Sequence, residues 1–434
     1  MRIREWQALR RRWTWWVSAA CGLLAAGLSV SELAACKNLI GIKDHEFTDD
    51  APSGDLQVAC QGYCDDVLQH CTAESVQAYR NNSEEDCMAV CTHLPIGEQS
   101  GATEGNSVSC RASYAAKANG AERDLMNCPA AAPGGGGPSA NPACGTNCEA
   151  YCQLFGEVCN DGETPDKCVQ QCGGLRDLGE FQAERDYTQA NDTIQCRIAH
   201  VTAAAHSKVA ASEASSEADR TAEKNLQTLH CGHAEIKPKR LANDGEPCDL
   251  PPNTPVRCED YCKLVMVACV DFPVYASATE CMNVCERGLL TEVDRTGLPK
   301  NTVDSSENTV TCRRWHAYFS LGTPEEHCSH AGPGGGGHCG IEPCDVYCSL
   351  LQRGCRDRFT SVYGDDAAMC SAECRDKLTG GQREQPYNID AEETRTNTYQ
   401  CRLHNLALVF GNMGMGNGMG MELCAKSFPA DRCP

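Results

Sequence analysis

No two of the 34 cysteines in this 434-residue chain stand three apart, so it contains no C-x2-C pair. That removes thioredoxin-type redox chemistry, a zinc ribbon and covalent haem attachment together. H-E-x-x-H, G-x-S-x-G and the phosphate-binding loop are also missing, and with them the commonest hydrolase and nucleotide signatures. Aromatic residues make up only 6 % of the chain. Four of the five tryptophans (Trp6, Trp13, Trp15 and Trp16) lie in the first sixteen residues, leaving Trp315 beyond them. A chain so poor in large apolar groups does not rest on one big core, and several small stapled units are the expected solution. There is no basic stripe either. The net charge is −21, which disfavours nucleic acid and anionic lipid as partners.

What is there begins with an export signal. MRIREWQALRRRW carries Arg2, Arg4, Arg10, Arg11 and Arg12 against Glu5. An apolar stretch follows at residues 17–30, too short to span a hydrocarbon core of ~30 Å as a helix. Then comes LAAC, residues 33–36. A basic region, an apolar region and small residues before a cut describe a signal peptide over 1–35. LAAC resembles the bacterial lipobox, which makes Cys36 the lipidated first residue of the mature chain. Lys37 in the next position favours the outer membrane. Removing five arginines and two acids from 38 basic and 59 acidic residues leaves a mature charge of −24. Residues 36–59 are expected to form the lipidated cysteine and an extended acidic tether.

Cysteine at this density signals a disulfide scaffold formed in an oxidising compartment. The 32 cysteines from Cys60 to Cys433 fall into four runs of eight with one order of spacings. They define modules at 60–144, 145–248, 249–339 and 340–434. Each opens on the same twelve-residue pattern: CQGYCDDVLQHC, CEAYCQLFGEVC, CEDYCKLVMVAC and CDVYCSLLQRGC. Cysteines at i, i+4 and i+11 share one helix face. A second helix carries CMAVC, CVQQC, CMNVC or CSAEC, preceded by polar residues suited to a cap, as in NNSEEDC and GETPDKC. A third carries SVSCR, TIQCR, TVTCR or TYQCR, and in the second module it is expected to run on to about residue 229. The predicted fold class is therefore mainly α: four tandem, disulfide-stapled three-helix units joined by Gly/Pro-rich loops.

Two C-x3-C pairs on antiparallel helices match rung for rung. This predicts Cys60–Cys91 and Cys64–Cys87, Cys148–Cys172 and Cys152–Cys168, Cys258–Cys285 and Cys262–Cys281, and Cys344–Cys374 and Cys348–Cys370. The third cysteine of the opening helix is expected to meet the third helix, as Cys71–Cys110, Cys159–Cys196, Cys269–Cys312 and Cys355–Cys401. The last two cysteines of each module flank a Gly/Pro-rich or polar segment and are expected to close it, as Cys128–Cys144, Cys231–Cys248, Cys328–Cys339 and Cys424–Cys433. Eight cysteines allow 105 pairings, so other connectivities stay open.

Tyr63, Tyr151, Tyr261 and Tyr347 recur before the second cysteine of each run, and Arg111, Arg197, Arg313 and Arg402 after the sixth. Recurrent Tyr and Arg suit binding hot spots. The favoured expectation is structural: Tyr over the bridges, Arg paired with an opening-helix acid such as Glu149, Glu259 or Asp345. Histidines gather beside the linkers, as His230 and His233, then His327, His330 and His338. Their neighbouring cysteines are expected in disulfides, which are not ligands, so a zinc site is not expected there. Met413, Met415, Met419 and Met421 lie on what reads as a flexible glycine loop, GNMGMGNGMGMELC. Thioether sulfur is a soft ligand suited to Cu(I), against the plainer reading of a low-complexity arm. Asp365-Asp366 is an acid pair with no partner constellation, and no catalytic residue or cofactor is expected.

LAACKNLIGIKDHEF, the repeated C-x2-YC-x6-C, NTVTCR and HCSHAGPGGGGHCG resemble the cysteine-rich repeat lipoproteins of myxobacteria. The resemblance covers nearly the whole chain, though the glycine linker is complete only in the third module. It implies export, lipidation and a disulfide-rich fold, and it brings no activity. The expected function is a non-enzymatic cell-envelope lipoprotein, anchored to the membrane by its lipid and offering an interaction or spacer surface to a protein or cell-surface partner. The alternatives are a multi-headed protease inhibitor and a copper-binding protein using the Met-rich loop.

Overall fold

The computed structural model describes residues 54–434 apart from 98–100, 137–141, 160–163, 189–191, 237–247, 249–255, 290–307, 341, 379–384, 392–396, 413–418, 430, 432 and 434. The expected signal peptide and Cys36 lie outside the described residues. The described chain is helical, with eighteen α-helices and no strand among the described residues. None of these helices is long and apolar enough to cross a membrane.

Each module starts with the cysteine-striped helix: α1 (Gly54–His70), α5 (Asn147–Cys159), α10 (Cys258–Ala268) and α14 (Pro343–Gly354). Residues 54–59, expected in the tether, are the first turns of α1, because the helix runs on ahead of Cys60. An antiparallel partner follows: α2 (Glu84–Cys91), α6 (Pro165–Cys172), α11 (Ala278–Arg287) or α16 (Ala367–Lys377). Ser83, Ser277 and Asp366 cap three of these by accepting backbone N–H groups of the first turn. The two helices are clamped by nested bridges: Cys60–Cys91 and Cys64–Cys87, Cys148–Cys172 and Cys152–Cys168, Cys258–Cys285 and Cys262–Cys281, Cys344–Cys374 and Cys348–Cys370.

The third helix is α3 (Val108–Ala115), α8 (Ile194–Glu213), α12 (Val310–Ser320) or α17 (Tyr399–Asn412). Here the structure departs from the three-helix expectation. A fourth helix carries the seventh cysteine: α4 (Ala121–Ala131), α9 (Glu217–Ala234), α13 (Pro324–Ala331) or α18 (Met419–Ser427). In the second module the expected single helix to residue 229 is broken, and Ser216 caps the start of α9 through the Asp219 N–H. Two short helices, α7 (Ala183–Thr188) and α15 (Arg356–Tyr363), lie between these elements.

The fourth helix changes the remaining bridges. The seventh cysteine does not close a local loop but returns to the opening helix, as Cys71–Cys128, Cys159–Cys231, Cys269–Cys328 and Cys355–Cys424. The sixth and eighth then pair, as Cys110–Cys144, Cys196–Cys248, Cys312–Cys339 and Cys401–Cys433. These replace the expected Cys71–Cys110, Cys159–Cys196, Cys269–Cys312, Cys355–Cys401, Cys128–Cys144, Cys231–Cys248, Cys328–Cys339 and Cys424–Cys433. The physical reason is the route of the linker, which is held against the start of the third helix and carries the eighth cysteine to the sixth. All sixteen bridges stay within their own runs.

Nor are the modules separate beads. One continuous set of buried side chains runs through all four, from Cys60 and Tyr63 to Phe410 and Phe428, with most of the cysteines in it. The second helix of one module packs on the third helix of the next: α2 on α8, and α11 on α17. Backbone bonds repeat at the same junctions, Ala183 N–H to Gln77 O and Ile389 N–H to Pro273 O, both 2.9 Å.

Candidate functional site

The recurring arginine lies at the start of the third helix, one residue after the sixth cysteine. Its helix is capped by Ser107, Thr193, Thr309 or Thr398, each accepting the N–H of that cysteine at 3.1–3.3 Å. Arg111, Arg197 and Arg313 are wholly buried and Arg402 nearly so. None pairs with an opening-helix acid. Arg313 donates to Gly332 O (3.0 Å) and Pro333 O (2.9 Å) of the linker, to Thr309 O (3.0 Å) and to Asn308 Oδ1 (2.8 Å). Arg111 grips Ala132 O, Pro133 O, Ser107 O and Asn106 Oδ1 in the same way. Arg197 holds Glu235 O, Ile236 O, Thr193 O and Asp192 Oδ1, and Arg402 holds Phe428 O, Pro429 O, Thr398 O and Asn397 Oδ1. Those linker carbonyls stand four and five residues after the seventh cysteine in every module. A planar fork with five donors suits such a set of fixed acceptors, and burial beside neutral carbonyls pulls the Arg111 and Arg313 guanidinium pKa values down. The expected partners are engaged elsewhere: Glu149 binds the Thr146 N–H, Glu259 pairs with Arg257, and Asp345 with Arg375.

The glycine linker belongs to this clamp and is not a free loop. Gly335 has φ +68°, and a Cβ there would stand 3.0 Å from Cys339 Cβ and 3.2 Å from Arg313 Nη2. Only glycine meets both demands without strain.

The recurring tyrosines are buried as well, and three donate to the last turn of the fourth helix. Tyr63 Oη reaches Ala131 O at 2.6 Å, Tyr151 Oη reaches Ala234 O at 2.8 Å, and Tyr261 Oη reaches Ala331 O at 2.5 Å. Tyr347 Oη, in the fourth module, is buried without a hydrogen-bond partner among the described residues. Burial pushes Tyr63 and Tyr261 up to about 12. Tyr and Arg therefore hold the fourth helix and the linker in place, and neither offers a surface to a partner.

The histidines converge where the sequence alone did not join them. The third helix contributes His200 and His316, four residues after the sixth cysteine. The fourth helix contributes His230 and His233 to one cluster, His327 and His330 to the other, and the linker adds His338. His200 Nδ1 lies 3.1 Å from His230 Nδ1, and His316 Nδ1 lies 3.2 Å from His327 Nδ1. One ligand atom from each of His200, His230 and His233 lies within 4.8 Å of the others, and the same holds for His316, His330 and His338. Burial, then neighbouring rings, hold His200 and His330 down to about 3 and His230 and His316 to about 4. These rings are neutral at pH 7. Tyr187 stacks on His200, with Arg80 of the first module 3.9 Å above the Tyr187 ring centre. Phe319 packs on His327. The HC-x-H of the fourth helix was visible in the sequence, but its partners on the third helix were not, because the packing of the third helix on the fourth is a tertiary contact with no local signature.

Met413 and Met415 lie outside the described residues. Residues 419–424, expected in a flexible loop, are helical in α18, and Met421 is 77 % exposed. Asp366 of the acid pair is the cap of α16. Surface clefts among the described residues include one lined by residues such as Asn106, Glu149, Gln153 and Asp166 and another lined by Val265, Met266, Val270, Tyr275 and Ile389.

A family model described as the BfoA family C-terminal domain matches residues 255–342, which span the third module with its clamp and its histidine cluster. No curated protein and no solved structure matches the chain.

Proposed function

We propose that the chain is a non-enzymatic cell-envelope lipoprotein whose disulfide-stapled helical modules form an interaction or spacer surface. The supporting observation is the fate of the recurring side chains. In every module the Tyr and Arg are buried and, apart from the Tyr347 hydroxyl, hydrogen-bonded to their own frame. What the modules share is thus spent on construction, while what differs lies between the helices: 18 residues separate Cys91 from Cys110, but 26 separate Cys285 from Cys312. Variable segments on a fixed frame are where recognition resides.

Cys36→Ala tests the anchor. It should abolish lipid labelling and release the protein from the membrane fraction, and a variant that still fractionates with membrane would refute the anchor. The chain without its signal should retain an envelope or cell-surface component in a pull-down. Stoichiometric inhibition of a protease in a panel would instead favour an inhibitor. Neither result would leave a passive spacer.

A further inference from the structure

We propose that the second and third modules each bind one transition-metal ion of the Zn2+ type through histidine: His200, His230 and His233 in one, His316, His330 and His338 in the other, with His327 at the rim of the second site. The two modules share three histidine positions, His200, His230 and His233 in one and His316, His327 and His330 in the other, and the third module adds His338. Each has a histidine four residues after the sixth cysteine, one immediately before the seventh, and one two residues after it. The first module has Tyr114, Asn127 and Ala130 at these places, and the fourth has Asn405, Leu423 and Lys426. All three positions are histidine in a module, or none is. Histidines serving only to fill space would be exchangeable one at a time.

The geometry suits a small cation. Tetrahedral ligands ~2.05 Å from zinc stand about 3.3 Å from one another. In each set one nitrogen from every ring lies within 4.8 Å of the other two, a spread that an ion drawing the rings in would shorten. His200 Nε2, His233 Nδ1, His316 Nε2 and His330 Nδ1 are buried and have no hydrogen-bond partner. Buried polar atoms are rarely left so, since each costs ~1–3 kcal/mol. Four such nitrogens in two equivalent clusters point to a species that accepts lone pairs.

The donor set narrows the ion. Cys196–Cys248 and Cys312–Cys339 border the two clusters, but both are closed, so the ligands are imidazole alone. Uncharged nitrogen ligands without carboxylate suit zinc or copper and not calcium or magnesium. His230 and His233 are half-buried and His338 is exposed, which leaves a way in and a fourth position for water. A bound ion would tie the third helix to the fourth beside the bridge that joins the sixth and eighth cysteines.

The test is titration of the chelator-treated, oxidised full-length chain with Zn2+ by calorimetry, and with Co2+ by visible absorption. Two Zn2+ equivalents and the intense bands of four-coordinate Co2+ are expected. His200→Asn and His316→Asn should each remove one equivalent, and the double variant both. Asn is chosen because Asn405 fills this position in the fourth module, donating to Cys401 O beside the intact Cys401–Cys433 bridge. Absence of saturable binding by the unaltered chain would overturn the proposal, whatever the variants do, and the paired rings would then be hydrogen-bonded to each other. Survival of both equivalents in the double variant would also overturn it.

Discussion

A buried guanidinium facing four fixed acceptors is costly to change even conservatively. Arg313→Lys keeps the charge but not the fork, and an ammonium cannot reach Gly332 O, Pro333 O, Thr309 O and Asn308 together. Unmatched carbonyls and a poorly solvated charge should cost about 3 kcal/mol, read as a lower urea midpoint with all bridges intact. An unchanged midpoint would mean that the bridges alone hold the linker. At the same scale, burial and then the charge of Lys208 pull His93 down to about 4, and its Nε2 is buried without a partner. A folded-state pKa below the unfolded ~6.5 means the unfolded chain binds more protons between those values. Stability from neutral His93 is therefore complete above pH 6.5 and lost as pH falls toward 4. His93→Asn should flatten the dependence of the melting temperature on pH across that window. An identical slope in both proteins would contradict the assignment.

The paired helices were legible as elements because i, i+4 cysteine pairs carry their own geometry: one turn on each helix fixes antiparallel rungs. The third helix was legible from its recurring C-R dipeptide. The fourth was not. NCPAAAPGGGG and ELCAKS have Pro129, glycines or few residues where a helix would announce itself, and α4 contains that proline inside it. The fourth helix is also held by a bridge to the opening helix and, in three modules, by a tyrosine hydroxyl, which are tertiary causes. Half of the bridges followed from that missed element. The arginine clamp was hidden for a related reason, since it reads backbone carbonyls and the linker side chains vary from PGGGG to EIKPKR. Non-reducing peptide mapping should recover Cys71–Cys128 and Cys110–Cys144 in linked fragments. Fragments joining Cys71 to Cys110 would restore the simpler three-helix plan. The long bridges matter most to stability in the chain-entropy view. Those to the fourth helix close 57 to 72 residues and constrain the unfolded chain by about 4 kcal/mol each when taken singly.

Across the whole molecule the modules are coupled through their junctions, and at the second-to-third junction Asp192 joins Gln171, which donates to Leu321 O at 3.0 Å, in crossing between them. Asn106, Asn308 and Asn397 serve the clamp in three modules, but the second has Asp192. Its Oδ1 meets Arg197 at 2.9 Å, and its Oδ2 accepts from Tyr318 of the third module at 2.5 Å and pairs with Arg314 of the same helix. All four side chains are buried. The negative charge missing from the other clamps is thus used to fasten a neighbour. Asp192→Asn should keep the Arg197 contact, as asparagine does in the other modules, and remove the negative charge that Asp192 places beside Arg314. The expected loss is ~3–5 kcal/mol, concentrated at this junction, so thermal unfolding should broaden or split into two transitions. Asp192→Ala should cost more, because Arg197 also loses its acceptor. Adding Arg314→Met to Asp192→Asn should recover most of the loss, since an apolar side chain of similar volume removes the buried charge that Asp192 balanced. If the double variant melts no higher than Asp192→Asn alone, the buried pair is not what couples the two halves, and the shared apolar core carries the junction.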